Sequence, residues 1–221
     1  MSRIHHHPGD DMLVAYAAGS LDEALSLMVA THAALCPVCR ARIDEAEAIG
    51  GVLVEDMAPM ALSDDSLAAV MSRLDEPDPA PRPAASASRV DAATARLIPE
   101  PLRSYLPKGL EALPWRSMGP TVKGLELAVS GGAKARLFRI KPGAAMPRHT
   151  HNGPEYTMVL AGGFSDEIGH FLRGDIACVD ETLLHQPIAD EGEPCLCLAV
   201  TDAPLRFTGM MPRLLQPFFG I

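Results

Sequence analysis

The sequence predicts an α + β protein of two domains. An all-α domain of about four helices covers residues 1–75, a Pro/Ala-rich linker covers 76–95, and an all-β domain covers 96–221. Three observations carry this division. Apolar residues recur at helical spacing as far as Leu74, then at a spacing of two from Leu125 onward. Between them EPDPAPRPAASAS, residues 76–88, holds four prolines and almost nothing to bury, and reads as an extended tether whose flanks move relative to one another. The charge is also divided. Residues 1–75 carry four basic and twelve acidic side chains, or −8, of a total of −9 for the chain.

The helices follow in order. Asp10 and Asp11 open an apolar run through Met12, Leu13, Tyr16 and Ala17 that stops at Gly19, a favourable residue just past a helix end. Ser20 and Glu23 have capping-box spacing for a second helix through Leu21, Ala24, Leu25, Met28 and Val29. Pro37 stands where a third helix starts, a position proline tolerates, and Ile43, Ala46, Ile49, Val52 and Leu53 continue it across the weak Gly50-Gly51 step. A short fourth helix, Asp64 to Leu74, carries Leu67, Val70 and Met71 on one side. Beyond the linker, Leu125–Val129, Ala135–Ile140, Tyr156–Leu160 and Leu196–Val200 alternate as short strands, with the Gly and Pro turns of a sandwich or barrel between them.

Composition excludes several classes of function. No apolar stretch is long enough to span a bilayer, and the histidine-rich start has no signal-peptide core, so a cytoplasmic protein without membrane contact is expected. An acidic first domain cannot neutralise phosphates, which argues against direct nucleic-acid binding and suits a basic partner. In a reducing compartment, five cysteines with a close Cys36/Cys39 pair point to metal or thiol chemistry before a disulfide framework.

Two clusters carry that chemistry. In THAALCPVCR, residues 31–40, Cys36 lies one helical turn after His32, and Cys36 and Cys39 form a Cys-x-x-Cys at the start of the third helix. Three soft ligands at a helix–helix corner suit a structural zinc site that lacks one donor, and His5-His6-His7 is the source within the first domain. In PGAAMPRHTHNGPEYTMVLAG, residues 142–162, His149 and His151 at i, i+2 face one side of a strand, with Glu155 following. His170 has no partner at ligand spacing and reads as a surface or turn residue.

The first cluster, with a histidine upstream of His-x3-Cys-x2-Cys, resembles the zinc-binding anti-sigma domain. The resemblance implies one zinc on His7, His32, Cys36 and Cys39, with His6 next to His7 as the other choice. The second, G-x5-H-x-H-x3-E-x6-G, resembles the first motif of the cupins, jelly-roll barrels. That family's later motif supplies a histidine, matched here by His185 in GDIACVDETLLHQP, which lacks the usual Pro-x-Gly turn and closing asparagine. Three histidines and a carboxylate suit zinc, manganese, iron or nickel.

The whole chain resembles the ChrR-type anti-sigma factors, including its closing stretch CLCLAVTDAPLRF…LLQPFF. The resemblance implies zinc at both sites, an extracytoplasmic-function sigma factor as partner, inhibition by the helical domain, and a cupin that senses singlet oxygen or related oxidative stress. It implies a transcription regulator and not an enzyme; the rival is a metal-dependent cupin oxygenase with a zinc-bound helical appendage. It also implies a signalling role for Cys195 and Cys197. At i, i+2 in a straight strand their Cα atoms stand roughly 6.5–7 Å apart, at or beyond disulfide reach. Residue by residue, core packing is as good a reading of this pair, and it is the reading for Cys178.

Overall fold

The structure, a computed structural model, describes residues 4–74, 76, 90–202 and 206–207. Most of the 76–88 tether and most of the closing stretch after Asp202 lie outside the described residues.

Four helices open the chain: α1 (Asp10–Ala17), α2 (Glu23–Ala33), α3 (Pro37–Glu55) and α4 (Ser66–Arg73). Gly19 ends the first in a left-handed conformation (φ 64°), and α3 runs unbroken through Gly50-Gly51. The capping box is not formed. Asp22 caps α2 by accepting the Leu25 amide at 3.0 Å, while Ser20 Oγ donates back to the Ala15 carbonyl. Glu23 turns to the barrel instead, where its carboxylate accepts the Tyr105 hydroxyl at 2.7 Å and the Ser130 amide and hydroxyl at 2.6 Å each. Two short helices absent from the sequence reading, α5 (Ala92–Leu97) and α6 (Glu100–Arg103), precede the barrel. Asp91 starts the former by accepting the Thr94 amide at 2.8 Å, so helix begins inside the span assigned to the linker.

The strands are β1 (Arg116–Ser117), β2 (Val122–Glu126), β3 (Lys134–Ile140), β4 (His149–Thr150), β5 (Glu155–Ala161), β6 (Gly163–Ser165), β7 (His170–Leu172), β8 (Ile176–Val179), β9 (Ile188–Ala189), β10 (Cys195–Thr201) and β11 (Arg206–Phe207). They form an antiparallel six-stranded sheet in the order β1-β2-β3-β10-β5-β8, a three-stranded sheet β7-β6-β9 and the pair β11-β4. β2 begins three residues earlier than the alternation from Leu125 suggested. Gly124 pairs with Phe138 inside the ladder, and Leu127 is buried just past its end. The two larger sheets close over an inner core that includes Val122, Ile140, Val159, Phe164, Phe171 and Ala177.

Every residue of β10 is buried, which requires both faces to be covered. Cys195 and Cys197 face the inner core, while Leu196, Leu198 and Val200 face outward into a second core. That outer core contains Ala24, Leu27 and Met28 of α2, with Ile98, Leu102 and Leu106 from the segment before the barrel. Each buried leucine or methionine contributes roughly 1.5–3 kcal/mol. The helical part and the barrel therefore share a core, and the freely hinged arrangement read from the tether is not what the structure holds. The physical reason is the outer face of the six-stranded sheet, where Leu137, Met158, Leu196, Leu198 and Val200 form an apolar surface that takes α2 as its cover.

The end of α3 and all of α4 behave differently. The buried residues of α3 are Cys39 and Ile43, and α4 has none. Ile49, Val52, Leu53, Val70, Met71 and Leu74 are each more than half exposed. No helix among the described residues is long and apolar enough to cross a membrane.

Candidate metal centres

Both sequence clusters converge in space. Among the described residues, His7, His32, Cys36 and Cys39 bring one donor atom each within 4.8 Å of one another, as do His149, His151, Glu155 and His185.

At the first centre α2 carries His32 in its last turn, and α3 begins with the Cys36 thiol accepting the Cys39 amide at 3.5 Å. His32 Nε2 lies 3.3 Å from Cys39 Sγ, and His7 Nδ1 lies 3.5 and 3.4 Å from the sulfurs of Cys36 and Cys39. Zinc–nitrogen and zinc–sulfur bonds at tetrahedral angles set ligand–ligand edges of about 3.3–3.8 Å, so these separations fit one tetrahedral ion. His32 Nδ1 donates to the Gly174 carbonyl at 2.9 Å, which leaves Nε2 as the lone pair aimed at the centre. His7 and His6 are separated as well. The His6 ring turns onto Phe171, centroids 4.5 Å apart, with its Nδ1 3.5 Å from Asp175 Oδ2, and only His7 points at the thiols.

At the second centre His149 and His185 face each other as a two-way backbone pair, each amide donating to the other's carbonyl at 3.1 Å. β4 is only two residues long, so His151 lies just past its end, yet its ring still converges with that of His149. Nδ1 of His149 donates to the Pro147 carbonyl at 2.8 Å, and Nδ1 of His185 donates to Asp166 Oδ2 at 2.9 Å. Both rings therefore present an unprotonated Nε2. These stand 3.2 Å apart, with His151 Nε2 a further 3.0 Å from that of His185. Lone pairs this close repel unless a cation lies between them, which is the fit expected of a metal. Glu155 closes the set, its Oε2 3.5 Å from His151 Nδ1. Asp166, which orients His185, escaped the sequence reading because a carboxylate nineteen residues from its histidine has no spacing signal.

Burial holds these groups in their neutral forms. It lowers His32 and His149 to about 4 and His151 to about 3, and it pushes the Glu155 carboxyl up. Burial, then the neighbouring Cys36, pushes the Cys39 thiol up to about 12. A bound divalent ion reverses the preference of the thiols and the carboxyl, so metal uptake releases protons.

A cavity of about 50 Å³ adjoins the second centre, lined by Phe138, Ile140, Met146 and Phe164 and reached by His149, Glu155, His185 and Cys197. Cys195 and Cys197 are free thiols in contact, and that contact, followed by burial, raises the pKa of Cys197. The β10–β5 register shifts between Leu196 and Cys197, so the strand is irregular where the pair sits. Cys178 is exposed, not packed in the core. His170 is exposed on β7 and pairs with Asp190 at 2.7 Å.

An antiparallel barrel with an internal His3Glu cluster, and a helical His2Cys2 corner docked outside it, defines a cupin with a candidate metal centre and an appended helical module. The chain belongs to the ChrR family of anti-sigma factors. Residues 108–204 match the ChrR cupin-like domain family. The anti-sigma-E factor ChrR of Cereibacter sphaeroides is 49% identical over 218 residues, 99% of each chain. A crystal structure of Rhodobacter sphaeroides SigE in complex with the anti-sigma ChrR superposes with a TM-score of 0.78 at 45% identity, covering 90% of this chain and 100% of that one. The family's role is regulatory, not enzymatic.

Two outcomes follow. Elemental analysis is expected to find two metals per chain, falling by one when His149 and His151 are both replaced by Ala and by one when Cys36 and Cys39 become Ser. A native value near one would contradict the second centre. The metal-free chain is expected to lose stability as pH falls from about 6.5 toward 4, because the unfolded chain takes up protons on His32, His149 and His151 before the folded one does. Thermal unfolding across that window checks it, and a melting temperature that rises on acidification would refute the assignment of buried neutral imidazoles.

Proposed function

We propose that this chain is a cytoplasmic anti-sigma factor that sequesters an extracytoplasmic-function sigma factor and releases it under singlet oxygen or related oxidative stress. Zinc is the metal proposed for both centres. Inhibition belongs to the helical part, residues 1–75, and sensing to the metal-bound cupin that follows the linker. The observation that carries this reading is the apolar face of the later helices. Leu67, Val70, Met71 and Leu74 fall at i, i+3, i+4 and i+7, and all are more than half exposed. This is the pattern of an amphipathic helix that completes its burial in a partner's groove. Ile49, Val52 and Leu53 of α3 extend the apolar surface. The relative's crystal complex with SigE supports a sigma factor as the occupant, and the −8 charge of residues 1–75 suits a basic surface.

On this reading the first metal is a structural clamp. It joins the segment before α1 (through His7), the end of α2 and the start of α3, and so fixes the angle at which α3 leaves the corner. His149, His151, Glu155 and His185 would hold the second ion, and Cys195 and Cys197 lie in the same inner core. A stress signal acts through any difference in its interaction with the sigma-bound and sigma-free forms. The oxidisable groups of this barrel are where that difference would arise.

The test is co-purification with the cognate sigma factor. Replacing Val70 and Met71 by Asp is expected to weaken the complex by about a hundredfold or more, since both would be anchors of the contact, while two metals per chain are retained. Full affinity in that variant would overturn the assignment of α4.

A further inference from the structure

The first metal centre is not completed by the helical domain alone. Its second support comes from the turn between β7 and β8, more than 130 residues further along the chain (|i−j| = 142 for the His32–Gly174 contact). Asp175 is 2% exposed, and its carboxylate is fully engaged. Oδ1 accepts the His5 amide at 2.7 Å and the His6 amide at 2.9 Å, while Oδ2 accepts the Leu172 amide at 2.9 Å. The Ile176 amide donates to the His6 carbonyl at 3.1 Å. The backbones of the two residues that precede the ligand His7 are thus pinned to the barrel by three hydrogen bonds, two to the Asp175 carboxylate and one from the Ile176 amide. The ligand His32 is pinned to the adjacent Gly174 carbonyl. Gly174 has φ +95°, a backbone conformation that favours glycine, and the Ile4 side chain packs where a Cβ would stand, its Cδ1 2.6 Å away.

The same turn is bonded to the strand that begins at the second centre. The Gly174 amide donates to the Val159 carbonyl at 2.9 Å, and the Val159 amide donates to the Asp175 carbonyl at 3.1 Å. Val159 lies four residues along β5 from Glu155, about 13 Å at the rise of a strand. β8 continues the contact, with Ile176 opposite Met158 and Val179 opposite Glu155. An ion that fixes Glu155 at one end of this ladder therefore fixes the turn at the other.

We propose that Asp175 is a positioning residue for the N-terminal metal centre, and that through the β5–β8 ladder metal retention at that centre is linked to occupancy of the cupin centre. The inference rests on the reading that both clusters hold metal; it does not depend on which partner α4 engages. A latch of this kind lets an event in the barrel reach the helical corner without passing through the linker. It also works in reverse, since linkage between two binding sites is reciprocal.

The test uses the full chain loaded with Co²⁺, because only the cysteine-bearing centre can give a thiolate-to-cobalt charge-transfer absorption. Loss of that absorption after a chelator is added reports the first centre alone. Asp175→Ala is expected to speed the loss by about 10–100-fold, the range for removing the support of a metal ligand. Asp175→Asn, which keeps the size and one acceptor oxygen, is expected to fall between, and it serves if the Ala variant does not fold. Separately, His149→Ala, which disables the cupin centre, is expected to speed the loss in the wild-type background and to add nothing in the Asp175→Ala or Asp175→Asn background. An unchanged rate in both Asp175 variants would overturn the positioning role. Additive effects of the His149 and Asp175 substitutions would overturn the linkage. A wild-type chain that never develops the thiolate absorption would overturn the metal reading beneath both.

Discussion

The turn Leu172–Ile176 is the constraint on which the rest of the molecule depends. Arg173 donates to the carbonyls of Arg96, Leu97 and Leu160, Gly174 accepts from His32, and Asp175 gathers the amides of His5 and His6. One short loop of the barrel thereby holds the pre-barrel helix, the end of α2 and the extended N-terminus. These polar ties surround the apolar contact of α2 with the outer face of the six-stranded sheet. Buried backbone groups that lose such partners are costly, about 1–3 kcal/mol each. The arrangement is therefore cooperative: undocking the corner would expose Ala24, Leu27 and Met28 and orphan several donors at once.

The division between docked and undocked surface follows the same logic. α1, α2 and the first two turns of α3 are spent on the metal corner and the barrel. Beyond Ile43 no residue of α3 is buried, and α4 is amphipathic with nothing among the described residues covering its apolar side. A chain that exposes this much aliphatic surface at regular helical spacing is prepared for a partner. The cupin keeps its candidate metal cluster and its paired thiols inside the barrel, so the sensing and masking surfaces proposed here do not compete for the same residues.

Much of this was legible in the sequence where chemistry imposes spacing. His32, Cys36 and Cys39 lie one turn apart across a helix boundary, and His149, His151 and Glu155 lie on one short segment, so local geometry nearly determines both clusters. Even His185, without its usual turn and asparagine, arrives opposite His149 because backbone pairing fixes the register. What could not be read depends on long-range contacts. His7 is distinguished from His6 by Asp175, about 170 residues away. Glu23 has the spacing of a capping box but is drawn off by Ser130 and Tyr105. The apolar stripe of α2 looks like any helix core and does not say that its partner is a sheet. Cys178, read as core packing, is exposed because it lies on an edge strand.

The central claim is that the helical part masks a sigma factor through α3 and α4 while its metal corner stays anchored to the barrel. Hydrogen–deuterium exchange of the full chain, alone and bound to its cognate sigma factor, tests this most directly. The account predicts new protection over residues 49–74 in the complex, with the amides of His5, His6 and Ile176 protected in both states. Protection confined to the barrel, with α4 exchanging as fast in the complex as in the free chain, would contradict it.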